Sequence, residues 1–180
     1  MRTPSPALAV AALAAMIAAS PAVADRDNRI RINLQGYEEV PSVSTAASGK
    51  FEAKISRDEQ MIEYELSYGE LQGTVTQAHI HFGQRTANGG IVVWLCQTPG
   101  TQAPEAVRAI TPECPLSGTV SGFITAASVV AAQPAQQIVA GELDEVIDAM
   151  RAGVAYVNVH TSLSPGGEIR GQIDDHGHRH

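Results

Sequence analysis

The chain has 180 residues, of which 12 are basic and 19 acidic, for a formal net charge of −7. That balance, with no basic stripe to interrupt it, opposes binding to phosphate backbones and anionic membrane surfaces, so nucleic acid is excluded as a partner. The length suits one domain rather than two.

At the N-terminus, Arg2 gives a short positive region and Ala7 to Ala19 is an uninterrupted apolar run. Ala22-Val23-Ala24 then places small residues at both specificity positions of a secretory cleavage site. The apolar run falls short of the ~20 residues that cross a bilayer as a helix. The pattern predicts a signal peptide over residues 1–24, with Asp25 opening the exported chain and a periplasmic or secreted location. Cleavage leaves 11 basic against 19 acidic residues and no second long apolar stretch, so no membrane insertion is expected afterwards. The expected organisation is one domain over 25–174 and a His-rich tail over 175–180.

Period-two alternation dominates that domain. Ile30, Ile32 and Leu34 line one face of a first strand, opposite Arg29, Arg31 and Asn33. Phe51, Ala53 and Ile55 alternate next. Arg57-Asp58-Glu59-Gln60 supplies turn chemistry, and Ile62, Tyr64, Leu66 and Tyr68 resume, which reads as a hairpin over 50–68. A further strand is predicted from Thr74 to Phe82. Ile91 to Leu95 is a continuous apolar run, as expected of a strand buried on both faces.

Cys96 and Cys114 are the only cysteines. In an exported chain such a pair reads first as a disulfide, here clipping a loop rich in Pro99, Gly100, Pro104, Pro112 and Pro115. A thiolate metal pair or a free nucleophile is the alternative. Val120, Gly122 and Ile124 mark another strand, and Thr125 to Ala132 could hold a helical turn. Leu143, Val146, Ile147 and Met150 then fall at i, i+3, i+4 and i+7, behind Glu142, Asp144 and Glu145 and ahead of Gly153. This is the pattern of one amphipathic helix with acidic residues at its positive end and glycine past its last turn. Strands from Val154 to Thr161 and Glu168 to Ile173 close the chain around the turn Ser164-Pro165-Gly166-Gly167. The expected fold is all-β: an antiparallel Greek-key or immunoglobulin-like sandwich, or a barrel, with one amphipathic helix.

Histidines are the residues with chemistry to offer. In Ala78-His79-Ile80-His81-Phe82 the apolar residues claim the core, so both histidines project to the opposite face, about 7 Å apart at Cβ. In Tyr156-Val157-Asn158-Val159-His160 the valines take the core and His160 shares the other face with Tyr156 and Asn158. If the two strands are neighbours, His79, His81 and His160 form a site suited to copper or zinc. The plain alternative is polar alternation on a solvated face. His176, His178 and His180 in the tail could collect metal, although a chain end of that composition is more often solvated. Glu168 and Arg170, two apart on one strand, are expected to form a charge-assisted pair that orders the turn. No phosphate-loop spacing or nucleophile elbow is present.

Three stretches resemble the CHRD (chordin) domain family: Leu34-Gln35-Gly36-Tyr37-Glu38-Glu39-Val40-Pro41, Val75 to Gly83, and Ala155 to Thr161 followed by Pro165 to Gln172. The resemblance covers about Arg29 to Asp174. It implies an all-β sandwich of Greek-key or immunoglobulin type, found in many secreted bacterial proteins and repeated within chordins. It implies no settled activity. Chordins bind growth factors chiefly through separate cysteine-rich modules, and a chain with two cysteines does not inherit that role. The functions that follow are a non-enzymatic exported binding domain with a three-histidine copper or zinc site, an adhesion or protein-interaction module with structural histidines, or a copper-dependent redox enzyme of superoxide dismutase type. The last would need roughly twice the three body histidines for a two-metal site.

Overall fold

A computed structural model describes residues 28–173, so the predicted signal peptide, its predicted cleavage site and the His-rich tail lie outside the described residues. Eight strands form one antiparallel sheet: β1 (Arg29–Gln35), β2 (Ser48–Ile55), β3 (Ile62–Gly69), β4 (Val75–Phe82), β5 (Gly90–Gln97), β6 (Gly118–Ile124), β7 (Ala155–Thr161) and β8 (Ile169–Ile173). Their order is β5-β4-β7-β8-β1-β2-β3-β6, and the sheet curls into a nearly closed barrel. Of the two closures expected from sequence, sandwich and barrel, the chain adopts the barrel.

The alternation explains the curl. Ile32 and Leu34 on β1, Phe51, Ala53 and Ile55 on β2, and Ile62, Tyr64, Leu66 and Tyr68 on β3 all turn into one interior. The predicted hairpin pairs β2 with β3 in register from Ser48↔Gly69 to Ile55↔Ile62, around the turn at Arg57-Asp58-Glu59-Gln60. Two links tie the free ends of the sheet. The Tyr64 hydroxyl donates to the Leu95 carbonyl on β5 at 2.7 Å, and Cys96 on β5 is bonded to Cys114 in the segment leading to β6. The disulfide read from sequence is therefore present, and the thiolate alternatives fall.

Among the described residues two α-helices accompany the barrel, the short α1 (Glu105–Arg108) and the predicted amphipathic α2 (Leu143–Arg151). Leu143, Val146, Ile147 and Met150 bury their stripe, and Gly153 follows with φ 71°, a left-handed conformation that glycine adopts without a Cβ penalty. The weak helical signal after Thr125 is a single 3-10 turn, Ala126–Ser128.

One wall departs from the inside-apolar, outside-polar rule. Every residue of β7 and β8 is buried, on both faces. Segments 36–47, 83–89 and 162–168 fold over the outer face of β4, β7 and β8 and are pinned there. Asn88 donates to the Val40 carbonyl at 2.8 Å, Arg85 pairs with Glu38, and Thr45 donates to Glu168 at 2.9 Å. The outer face of this wall is thus a second, polar interior.

Candidate metal centre

The polar interior holds all three body histidines. Antiparallel pairing of β4 with β7 sets His79 opposite Asn158, His81 opposite Tyr156, and Gln77 opposite His160. The strands are neighbours, so the parity that turns Ala78, Ile80, Val157 and Val159 into the barrel turns the three imidazoles out together. Their ring centroids lie 4.9 Å (His79–His160), 5.4 Å (His79–His81) and 6.2 Å (His81–His160) apart. One nitrogen from each falls within 4.8 Å of the other two. The face is not solvated: His79, His81 and His160 are 0, 7 and 6 % exposed. Plain polar alternation toward water does not describe them.

The covering loops orient the rings. His81 Nδ1 lies 2.9 Å from the Gly89 carbonyl, and His160 Nδ1 lies 2.9 Å from the Pro165 carbonyl. A carbonyl only accepts, so each Nδ1 carries the hydrogen and each Nε2 keeps its lone pair. Fixing ring and tautomer through the far nitrogen is how metal-ligating histidines are held. His79 Nδ1 sits 3.1 Å from His160 Nε2, while His79 Nε2 and His81 Nε2 are buried without a hydrogen-bond partner.

Burial also sets the protonation state. His81 is pushed down to about 4 by desolvation, aided by the nearby His160 and Arg170 charges and opposed by its bonds to Gly89 and Asn158. Desolvation holds His79 well below the ordinary histidine range, with His160 and His81 adding to it. His160 is lowered by the same cause, against its Pro165 bond. All three are neutral near pH 7, the form that binds metal.

Further groups complete the shell. Tyr156 stacks on His81 at 4.7 Å with planes 3° apart, and the Arg170 guanidinium lies 3.4 Å from the Tyr156 ring centroid. Arg170 donates to the carbonyls of Gln84 and Ala87 and so anchors the segment that carries Gly89. Trp94 on β5 meets His79 edge-on at 4.2 Å. Glu39 is buried behind Asn158, its carboxyl raised to about 7 by desolvation against the pull of Arg170 and bonds from Val40 and Asn158.

The expected Glu168–Arg170 pair does not form. Glu168 precedes β8 and accepts hydrogen bonds from the Thr45 and Thr161 hydroxyls and the Gln72 and Gly73 amides, while Arg170 serves carbonyls and Tyr156. Sequence reading also missed the roles of Trp94, Glu39, Gly89 and Pro165. Trp94 alone carried a signal, sitting in a strand next to the cysteine clip. Backbone carbonyls leave no signature in residue types.

A family model described as CHRD domain matches residues 30–173. The chain belongs to the CHRD domain family. The match spans all eight strands but for the first residue of β1, and it encloses His79, His81 and His160. The family is one of binding and interaction modules rather than enzymes. No curated protein and no solved structure matches this CHRD domain. Among its described residues, no helix is long and apolar enough to cross a membrane.

Proposed function

We propose that this CHRD domain is an exported, non-enzymatic binding module that holds one copper or zinc ion at His79, His81 and His160. The observation that carries the reading is three buried imidazole nitrogens within 4.8 Å of one another, in a pocket where His79 Nε2 and His81 Nε2 have no partner. A buried polar atom left unpaired costs about 1–3 kcal/mol, and a coordinated cation removes that cost. The donor set suits the metals: neutral imidazoles bind copper and zinc well, and copper(II) most tightly among the divalent ions. Export is supported by the signal-peptide pattern at residues 1–24 and by the Cys96–Cys114 disulfide.

A second reading keeps the histidines structural, within an adhesion or protein-interaction module. The bonds to Gly89 and Pro165 and the His79–His160 contact favour it, because each ring already ties two segments together. Metal analysis separates the two. Protein made without an affinity tag and lacking residues 175–180 is expected to carry one copper or zinc ion per chain, and His79→Ala to lose it. Trp94, the sole tryptophan, reports independently, since copper(II) beside a ring 4.2 Å away should quench its fluorescence. Unchanged fluorescence and no bound metal at micromolar supply would leave the structural reading.

A further inference from the structure

The strongest unexplained feature beside the histidines is the side chain of Asn158. It stands directly opposite His79 across the β4–β7 ladder and two residues before His160 on the same face. Its Oδ1 lies 3.0 Å from His160 Nε2. His160 is therefore flanked by two oxygens, Pro165 O at Nδ1 and Asn158 Oδ1 at Nε2. A neutral imidazole has one N–H hydrogen, so it satisfies only one of them and sets a lone pair against a lone pair at the other. A cation shared by Nε2 and Oδ1 resolves that conflict. The amide is placed with Nδ2 on the Gly167 and Glu39 side and Oδ1 on the histidine side.

We infer that Asn158 Oδ1 is a fourth donor beside the three imidazoles, and that the resulting set favours the right angles of copper(II) over the tetrahedron of zinc. The inference rests on the metal-binding reading above. Donors bound at ~2.05 Å subtend about 94° when ~3.0 Å apart, whereas a tetrahedron holds them ~3.3 Å apart. The separation of His160 Nε2 from Asn158 Oδ1 is 3.0 Å. Tetragonal N and O donors are copper(II) or nickel(II) ligation, and copper binds more tightly of the two.

The far side of the amide is built to hold it. Asn158 Nδ2 and Glu39 Oε1 both lie beside Gly167, and that Oε1 is buried without a partner. Gly167 permits the approach: it has φ +126°, and a Cβ there would run into Glu39 Oε1 and lie 2.8 Å from Asn158 Nδ2. Glu39 is thereby placed beside the Nδ2 side of the amide, opposite the oxygen that faces His160.

The test loads copper(II) alone into protein lacking residues 175–180 and reads electron paramagnetic resonance together with competition against zinc. Wild type is expected to give one tetragonal copper(II) signal. Asn158→Ala should lower copper affinity by at least the 10–100-fold that loss of an outer-shell partner costs, with altered parallel g and hyperfine values and a smaller loss for zinc. Asn158→Asp keeps an oxygen donor, adds charge, and should retain binding with a shifted hyperfine value. An Asn158→Ala spectrum and affinity equal to wild type overturn the inference while His79→Ala loss upholds the metal site. Should Asn158→Ala fail to fold, an Asn158→Asp spectrum identical to wild type overturns it instead. Wild type that binds no copper overturns both.

Discussion

Acidification of the metal-free protein offers a quantitative check on the buried imidazoles. The perturbation is His81→Phe, which keeps a planar ring against Tyr156 and removes both titrating nitrogens. The folded-state pKa of His81, about 4, lies below the ordinary 6.5. The unfolded chain therefore takes up a proton below pH 6.5 that the folded chain refuses until about pH 4. Stability contributed by this group is present above 6.5 and drains away as pH falls through that window. Between pH 7.5 and pH 5 the loss works out at about 2 kcal/mol, from 1.36 kcal/mol per unit of differential protonation. Glu39 acts in the opposite sense. Its folded pKa is raised from 4.5 to about 7, so its contribution is present at low pH and lost as pH rises through 7. The two titrations mask each other in wild type, and the comparison must be a double difference. Urea midpoints for wild type and His81→Phe at pH 7.5 and pH 5 give it. The variant loses the hydrogen bond to the Gly89 carbonyl at both pH values, so that cost cancels. The expected result is that wild type loses about 2 kcal/mol more than the variant on acidification. Equal losses would show that His81 titrates normally and would refute its burial. The same argument moves metal release down: proton competition at His81 sets in nearer pH 4–5 than pH 6.

Three further outcomes follow from the fold. Glu168→Gln leaves two hydroxyls and two amides facing a neutral amide, and should destabilise by about 2–4 kcal/mol; a urea-measured change below about 0.5 kcal/mol would refute the clasp. The Cys96→Ser, Cys114→Ser double variant frees a loop of sequence separation 18, with an expected cost of about 3 kcal/mol in thermal unfolding. Intact mass of protein exported from a bacterial host should begin at Asp25, and retention of residues 1–24 would overturn the signal-peptide assignment.

Strand identity and facing were legible because one physical rule governs them. A period of two must put Ile80 and Val157 on the opposite side from His79 and Asn158, whatever lies on either side. The choice of barrel over sandwich was not legible, since it depends on long-range pairing such as Gln35 with Arg170, which no local pattern encodes. The burial of the histidine face was hidden for a related reason. It depends on irregular segments held by carbonyls far apart in sequence, as when Arg170 reaches Gln84 and Gln172 reaches Gly83. The Glu168–Arg170 pair failed on the same point. Proximity along a strand favoured it, but Thr45, Gln72 and Gly73, distant in the chain, offered Glu168 better-matched donors.

This division separates what places the donors from what tunes them. His79, His81, Asn158 and His160 sit on two paired strands whose inner faces, Ala78, Ile80, Val157 and Val159, are fully buried in the barrel. Their spacing is thus fixed by the same ladder and core that fold the domain, and the core supplies the folding free energy. An ion bound at the proposed site would add stability only through linkage, by about 2.7 kcal/mol when free metal reaches a hundred times its dissociation constant. The tautomers, in contrast, are set by Gly89 and Pro165 on the covering segments, and Arg170 holds the first of these through Gln84 and Ala87. Changes at Arg170 should therefore alter metal affinity and access far more than they alter the strand register, whereas changes at Ile80 or Val157 should lower stability first and affinity only as a consequence.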